Sequence, residues 1–180
     1  YSVACCAIVI AKQLNINYSN IQKGLQETFI PGRMNIINTG TCPVIIDYAH
    51  NELSAKALYQ TLKLDYKNKN IKGVNRRKDM GTLAGEYADY IYLTSEDPGH
   101  TSAQEICEDI ANYIKPYHKN YEIITDRETA IKKALNDATK DDVIAILGKG
   151  DESYQIIGGK WLPYKTDIEV IKDELLKIKE

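Results

Sequence analysis

Two short runs hold the residues best suited to chemistry: Asp47-Tyr48-Ala49-His50-Asn51 and Leu147-Gly148-Lys149-Gly150-Asp151-Glu152-Ser153-Tyr154-Gln155. A carboxylate such as Asp47 can accept from two vicinal hydroxyls, and an imidazole such as His50 can donate to a phosphoryl oxygen. Glu152 offers a carboxylate to an ammonium group, and Gly148 lets backbone carbonyls come close. Each run directly follows a β-branched apolar stretch, Val44-Ile45-Ile46 and Val143-Ile144-Ala145-Ile146. Polar, glycine-rich residues just past a buried strand lie at the carboxyl edge of a sheet, where open α/β folds bind their ligands. Plainer uses exist as well. Asp47 can cap the next helix, His50 can sit on a solvated turn, and the second run can be a strand-to-hairpin loop.

The elements that must place these runs alternate in type. Residues 1–14 read as a helix without its own start signal, as expected of a chain that begins inside a larger protein. Ser19-x-x-Gln22 makes a capping box for a second helix bearing Ile21 and Leu25. Phe29-Ile30-Pro31-Gly32 then breaks the helical pattern and has the character of a hinge. Strands are predicted over 34–38 and 42–47, and a helix over 53–64 with Leu53, Ala57, Leu58 and Leu62 on one stripe. Further strands are predicted over 71–74, 90–93, 121–124 and 142–147. Between them lie helices over 78–87, after Ser102-x-x-Glu105 with Ile106, Ile110 and Ile114, and after the cap Asp126 with Ala130, Ile131, Ala134 and Leu135. Residues 156–161 have the form of a two-residue hairpin, and 168–178 that of an amphipathic helix. This order implies βαβ units and an α/β fold with a mostly parallel sheet flanked by helices.

Bulk properties exclude several classes. A hydrophobic content of 43% in 180 residues supports a sizeable core, and the net charge of −2 makes no case for nucleic acid or anionic membrane. The apolar start is too short to span a membrane and lacks a basic leader. Cys5, Cys6, Cys42 and Cys107 show no metal spacing, and an adjacent pair forms no ordinary disulfide, so all four read as free, mostly core-facing thiols of a reducing cytosol. There is no zinc spacing, no nucleophile constellation and no G-x-x-x-x-G-K-[ST] loop.

Together with Pro31-Gly32-Arg33, the two runs resemble the C-terminal domain of the Mur ligases, over 1 to about 180. The likeness is greatest to members that add the third residue of the UDP-linked cell-wall peptide. The resemblance implies a Rossmann-like sheet over 31–180, preceded over 1–30 by the helical end of the central ATP-binding domain. It implies a cytoplasmic, ATP-dependent ligase that joins an amino acid to UDP-N-acetylmuramoyl-L-alanyl-D-glutamate through an acyl phosphate. Its partners would be that muramyl dipeptide, ATP and the amino acid, with no nucleic acid and no membrane. ATP and Mg2+ would be held mainly by the central domain, with no metal ligand and no catalytic residue in this chain, which alone would be inactive.

Within that resemblance Arg33, Asp47 and His50 reach ATP, while Glu96, Asp97, Gly148 and Glu152 receive the amino acid in a pocket between 96–100 and 148–152. Asp151 stands where the family usually has histidine, and Ser2 and Cys5 where it often has asparagines. Members that use diaminopimelate read Asp-Asn-Pro-Arg where this chain has Glu96-Asp97-Pro98-Gly99. Without that arginine the expected substrate is L-lysine or another basic amino acid. Asn75-Arg76-Arg77-Lys78 resembles the end of a basic phosphate loop, with Arg76 and Arg77 as candidates to face phosphate. The family has more residues before this point, so the loop is shortened or residues are missing; a solvated helix start is the plain alternative. Cyanophycin synthetase-like and folylpolyglutamate synthetase-like ligases are runner-up readings. A ligase-derived binding module without turnover is another.

Overall fold

The computed structural model describes residues 2–75, 78–117 and 119–177. It divides into two units, Tyr1–Ile30 and Pro31–Glu180. The first is a pair of helices, α1 (Ser2–Gln13) and α2 (Tyr18–Glu27). Helix α2 starts two residues earlier than the Ser19 box implies. Asn17 is its cap, accepting from the Asn20 N–H at 2.9 Å, and the Ser19 hydroxyl donates to the same oxygen. Asparagine two residues upstream reaches the orphan amides first. Cys5 and Cys6 on α1 are exposed, against expectation, whereas Cys42 and Cys107 are buried. Burial pushes the Cys107 thiol up to about 11.

The second unit is built on branched apolar strands. In chain order these are β1 (Asn35–Asn38), β2 (Pro43–Asp47), β3 (Asn70–Asn75), β4 (Tyr90–Leu93), β5 (Asn120–Ile123) and β6 (Asp142–Leu147). They form one sheet in the order β1-β2-β6-β3-β4-β5, parallel throughout except for β1 on β2. Helices α3 (Glu52–Asp65), α4 (Lys78–Tyr87) and α5 (Ala103–Ile114) cover one face; α6 (Arg127–Asn136) and α7 (Asp167–Lys177) cover the other. Alternation along the strands divides the core accordingly. Ile45, Ile71, Ile91, Val143 and Ala145 pack with Leu58, Leu62 and Ile110 on the first face. Val44, Ile46, Val74, Ile144 and Ile146 pack with Ile131, Ala134 and Val170 on the second. Central β6 is buried at all six residues, hence its unbroken apolar run after Asp142.

After β5 the chain crosses back through α6 and inserts β6 between β2 and β3. This reversal brings together the loops that follow β2, β4 and β6 at the carboxyl edge, the switch point where such sheets bind ligands. A hairpin, β7 (Tyr154–Ile157) and β8 (Lys160–Pro163), follows the β6 loop. Two local expectations fail. Leu53, 81% exposed, and Ala57 face solvent, because α3 turns Ala55 and Tyr59 inward beside the expected Leu58 and Leu62. Ser102 caps α5 by position but makes no side-chain cap hydrogen bond. Arg76 and Arg77 lie outside the described residues, and with them the question of a shortened phosphate loop; so does His118.

Candidate functional site

The β2 loop and the Pro31–Arg33 segment are tied to each other. Asp47 ends β2, and its Oδ2 accepts the backbone N–H of Met34 at 2.8 Å. Met34 has φ of +47, a left-handed backbone that a bulky residue keeps only when held. Helix α3 is capped by Asn51, in a reciprocal box with Ser54, which relieves Asp47 of the capping role. Tyr48 donates its N–H to the Gly32 carbonyl at 2.8 Å, and its ring lies 4.3 Å from the guanidinium carbon of exposed Arg33. His50 stands edge-on to the same ring, with Nδ1 2.9 Å from the Tyr48 carbonyl oxygen. A carbonyl only accepts, so Nδ1 carries the proton there.

The β6 loop packs against both. Gly148 donates its N–H to the Asp47 carbonyl at 3.1 Å. A Cβ added at Gly32 would fall 2.4 Å from the Asp151 nitrogen and 2.6 Å from the Gly150 carbonyl carbon. Only glycine permits that backbone-to-backbone approach. A Cβ at Gly148 would fall 2.6 Å from Glu96 Oε2, which places the buried Glu96 carboxylate against the loop.

At the centre is a residue to which sequence reasoning assigned no role. Lys149 has no exposed side-chain surface; its Nζ lies 2.8 Å from Glu152 Oε2 and 3.2 and 3.3 Å from the two oxygens of Asp97. The rings of Tyr154 and Tyr164 are 4.8 and 5.7 Å away. Glu152 Oε1 accepts from the Tyr48 hydroxyl at 2.7 Å and the Tyr154 hydroxyl at 3.3 Å. Asp97 Oδ1 also accepts the Ile156 N–H at 2.9 Å. The hydrogen bond to Glu152 foremost, then burial, pushes the Tyr48 phenol up to about 12. Tyr48 is therefore a neutral donor at physiological pH.

A family model described as the glutamate ligase domain of the Mur ligases matches residues 32–150. The chain belongs to the Mur ligase family. It is 36% identical, over 96% of its length, to the UDP-N-acetylmuramoyl-L-alanyl-D-glutamate–2,6-diaminopimelate ligase of Caldanaerobacter subterraneus subsp. tengcongensis. To the corresponding L-lysine ligase of Streptococcus thermophilus it is 35% identical, again over 96%. A solved UDP-N-acetylmuramoyl-L-alanyl-D-glutamate–2,6-diaminopimelate ligase superposes with a TM-score of 0.75 at 25% identity, covering 96% of this chain and 37% of that one. The chain spans little more than a third of the curated relatives it matches, 37% of each of the two named. The mostly parallel sheet flanked by helices is that of a Mur ligase C-terminal domain.

The predicted site residues among those described are gathered by four loops, but their charges are not disposed as expected. The acidic residues proposed to receive an ammonium already hold one. Asp97 and Glu152 share Lys149, so one of their two negative charges is balanced inside the protein. Glu96, Asp97 and Glu152 come within 4.8 Å of one another, the grouping of metal-ligand type among the described residues. The Lys149 ammonium lies against two of these three carboxylates, so the donor set already holds a cation of the protein's own. A cavity of about 520 Å³ lies beside these loops, bounded by Pro98–Ala103, Thr125–Arg127 and the hairpin residues Gln155, Ile157 and Gly158. Its wall includes Gly99 and His100 but none of Glu96, Asp97, Gly148 or Glu152, so it is displaced from the pocket expected between 96–100 and 148–152. Arg127, also without a predicted role, is buried and pairs with Asp167 through Nε and Nη2 at 2.9 and 2.8 Å. Its Nη2 also donates to the Leu147 carbonyl at 3.0 Å, which braces the end of β6 from beneath.

Proposed function

We propose that this chain is the C-terminal part of an ATP-dependent, amide-forming ligase of peptidoglycan synthesis, which adds the third amino acid to UDP-N-acetylmuramoyl-L-alanyl-D-glutamate in the cytoplasm. Residues 1–30 are then the helical end of the central ATP-binding domain, and 31–180 the domain that completes the nucleotide site and presents the amino acid. The observation that carries this reading is the joining, at one sheet edge, of the Pro31–Arg33, Asp47–Asn51 and Gly148–Glu152 loops around Lys149. Names of relatives with about 35% identity over most of the chain support it. In this reading exposed Arg33 and His50 offer donors to the phosphates. Asp47 accepts from the ribose with the oxygen not given to Met34. ATP converts the dipeptide carboxylate to an acyl phosphate, the amine of the incoming amino acid attacks its carbonyl carbon, and phosphate leaves. The chain's own contribution is positioning and electrostatics. Mg2+ falls to residues outside this chain, given the internal pairing of the acidic group.

Lysine is the proposed amino acid, on narrower grounds than charge repulsion. Asp97 is paired with Lys149, so the argument rests on Gly99, which brings no cation to a second carboxylate that must lose water on binding. Release of ADP by the full-length protein, given the UDP-linked dipeptide and a panel of amino acids, is the test. The expected result is turnover with a higher kcat/KM for lysine than for diaminopimelate. Gly99 has φ of +63 and open space around its missing Cβ, so Gly99→Arg should fold with mild strain and shift the ratio toward diaminopimelate. Preference of the natural protein for diaminopimelate would refute the lysine assignment; no ADP release with any amino acid would refute the ligase reading.

A further inference from the structure

Tyr48 touches both halves of the site. Its N–H holds the Gly32 carbonyl, its ring face carries the Arg33 guanidinium at 4.3 Å, and its hydroxyl reaches Glu152, 104 positions along the chain, at 2.7 Å. Sequence reasoning gave Arg33 to the nucleotide and Glu152 to the amino acid, and gave Tyr48 nothing. We propose that Tyr48 is a positioning residue that couples the two half-sites, seating Arg33 on its ring while orienting the Glu152 carboxylate with its hydroxyl. What each half-site holds rests on the ligase reading above; the coupling itself rests on the three contacts.

The chemistry of Glu152 explains why the hydroxyl matters. Oε2 is ion-paired with Lys149 at 2.8 Å but accepts no hydrogen bond, so the orientation of the carboxylate is set by what Oε1 accepts. The Tyr48 hydroxyl is the shorter of its two tyrosine contacts, the other being Tyr154 at 3.3 Å. Without the Tyr48 hydroxyl, the carboxylate can turn about the Lys149 contact. The ring acts separately, because a phenyl face holds a guanidinium without any hydroxyl. Two substitutions therefore divide the role. Tyr48→Phe keeps the platform for Arg33 and releases Glu152, whereas Tyr48→Leu loses both.

In the full-length protein, with ATP and the preferred amino acid varied separately, Tyr48→Phe should raise the KM of the amino acid about tenfold, the worth of one hydrogen bond to a charged group. The KM of ATP should stay within about twofold, and Tyr48→Leu should raise both. A purely structural role would instead lower kcat or stability alike in both variants and leave the KM values together. An unchanged amino-acid KM in Tyr48→Phe, with a wild type that ligates, overturns the coupling and leaves the ligase reading intact. Crystal structures of both variants decide the geometry without turnover. Glu152 should be turned in each and Arg33 displaced only in Tyr48→Leu; an unmoved Glu152 in Tyr48→Phe overturns the proposal. A wild type that ligates nothing counts against the ligase reading, and the two structures still decide the coupling.

Discussion

Burying an ammonium costs several kcal/mol unless opposite charge and hydrogen bonds meet it. Lys149 meets two carboxylates from different loops and two tyrosine rings, so its removal strands two carboxylates that are only 19% and 15% exposed. Lys149→Met should destabilise the fold by about 3–5 kcal/mol, and Lys149→Arg by less, as read from urea unfolding midpoints. Equal stability of Lys149→Met and wild type would mean that Asp97 and Glu152 find water or each other's proton instead. Part of this site was legible at the level of single residues. Asp47, His50, Glu96 and Glu152 stand where the strand-then-polar pattern places them. Their pairing was not legible, because Lys149 and Asp97 are 52 positions apart, and Tyr48 and Glu152 twice that. A lysine between two glycines gives no sign that it faces inward.

Elements were read more surely than contacts, since periodicity is a local property. Asp126 caps α6 as expected, accepting from the Thr129 N–H at 2.8 Å. The Ser19 box misled because Asn17 caps α2 instead, whereas Ser102 marks the start of α5 correctly without a side-chain cap hydrogen bond. The hairpin is the clearest success. Gly158 and Gly159, with φ of +57 and +73, form the two-residue turn that left-handed residues favour between twisted strands. The loop after β4 is fastened to it, with the Gly99 N–H on the Ile156 carbonyl at 3.1 Å and the Gly158 N–H on the Gly99 carbonyl. The two glycines should respond differently to substitution. Gly158→Asn faces open space and should change stability by under about 0.5 kcal/mol, asparagine being at ease in this conformation. Gly159→Ala puts a methyl 2.7 Å from the His100 ring and should cost about 1–3 kcal/mol. Thermal unfolding of the two variants checks the contrast; similar midpoints would mean that His100 moves freely aside.

Over the whole molecule, acid should act through Asp142 at the head of the central strand. Its carboxylate accepts from the Thr139 N–H at 2.7 Å and from the Asn70 amide at 3.2 Å, with Lys72 at 3.3 Å. Burial alone would raise its pKa, but these donors outweigh burial and hold it below the ordinary value. A carboxylate depressed in the folded state stabilises fully above its unfolded value, about 3.9, and loses that contribution as pH falls through the lower folded value. Urea midpoints should therefore be flat near neutrality and fall below about pH 4. Asp142→Asn should be less stable at neutral pH but lose less on acidification; an acid limb as steep as that of wild type would place the titration elsewhere.

The strand order also has a bearing on how the chain is made. Strand β6 lies between β2 and β3, yet it is the last of the six to be synthesised. Until it emerges, the β1–β2 ribbon and the β3–β4–β5 half share no hydrogen-bonded seam, and each presents an open inner edge of branched apolar residues. Such edges are templates for a neighbouring chain as much as for the missing strand. Non-local parallel pairing is also slow to form. The interval between synthesis of β3 and arrival of β6 is thus the time when a nascent chain is most open to pairing with its neighbours, and rapid docking of one six-residue strand closes both edges at once.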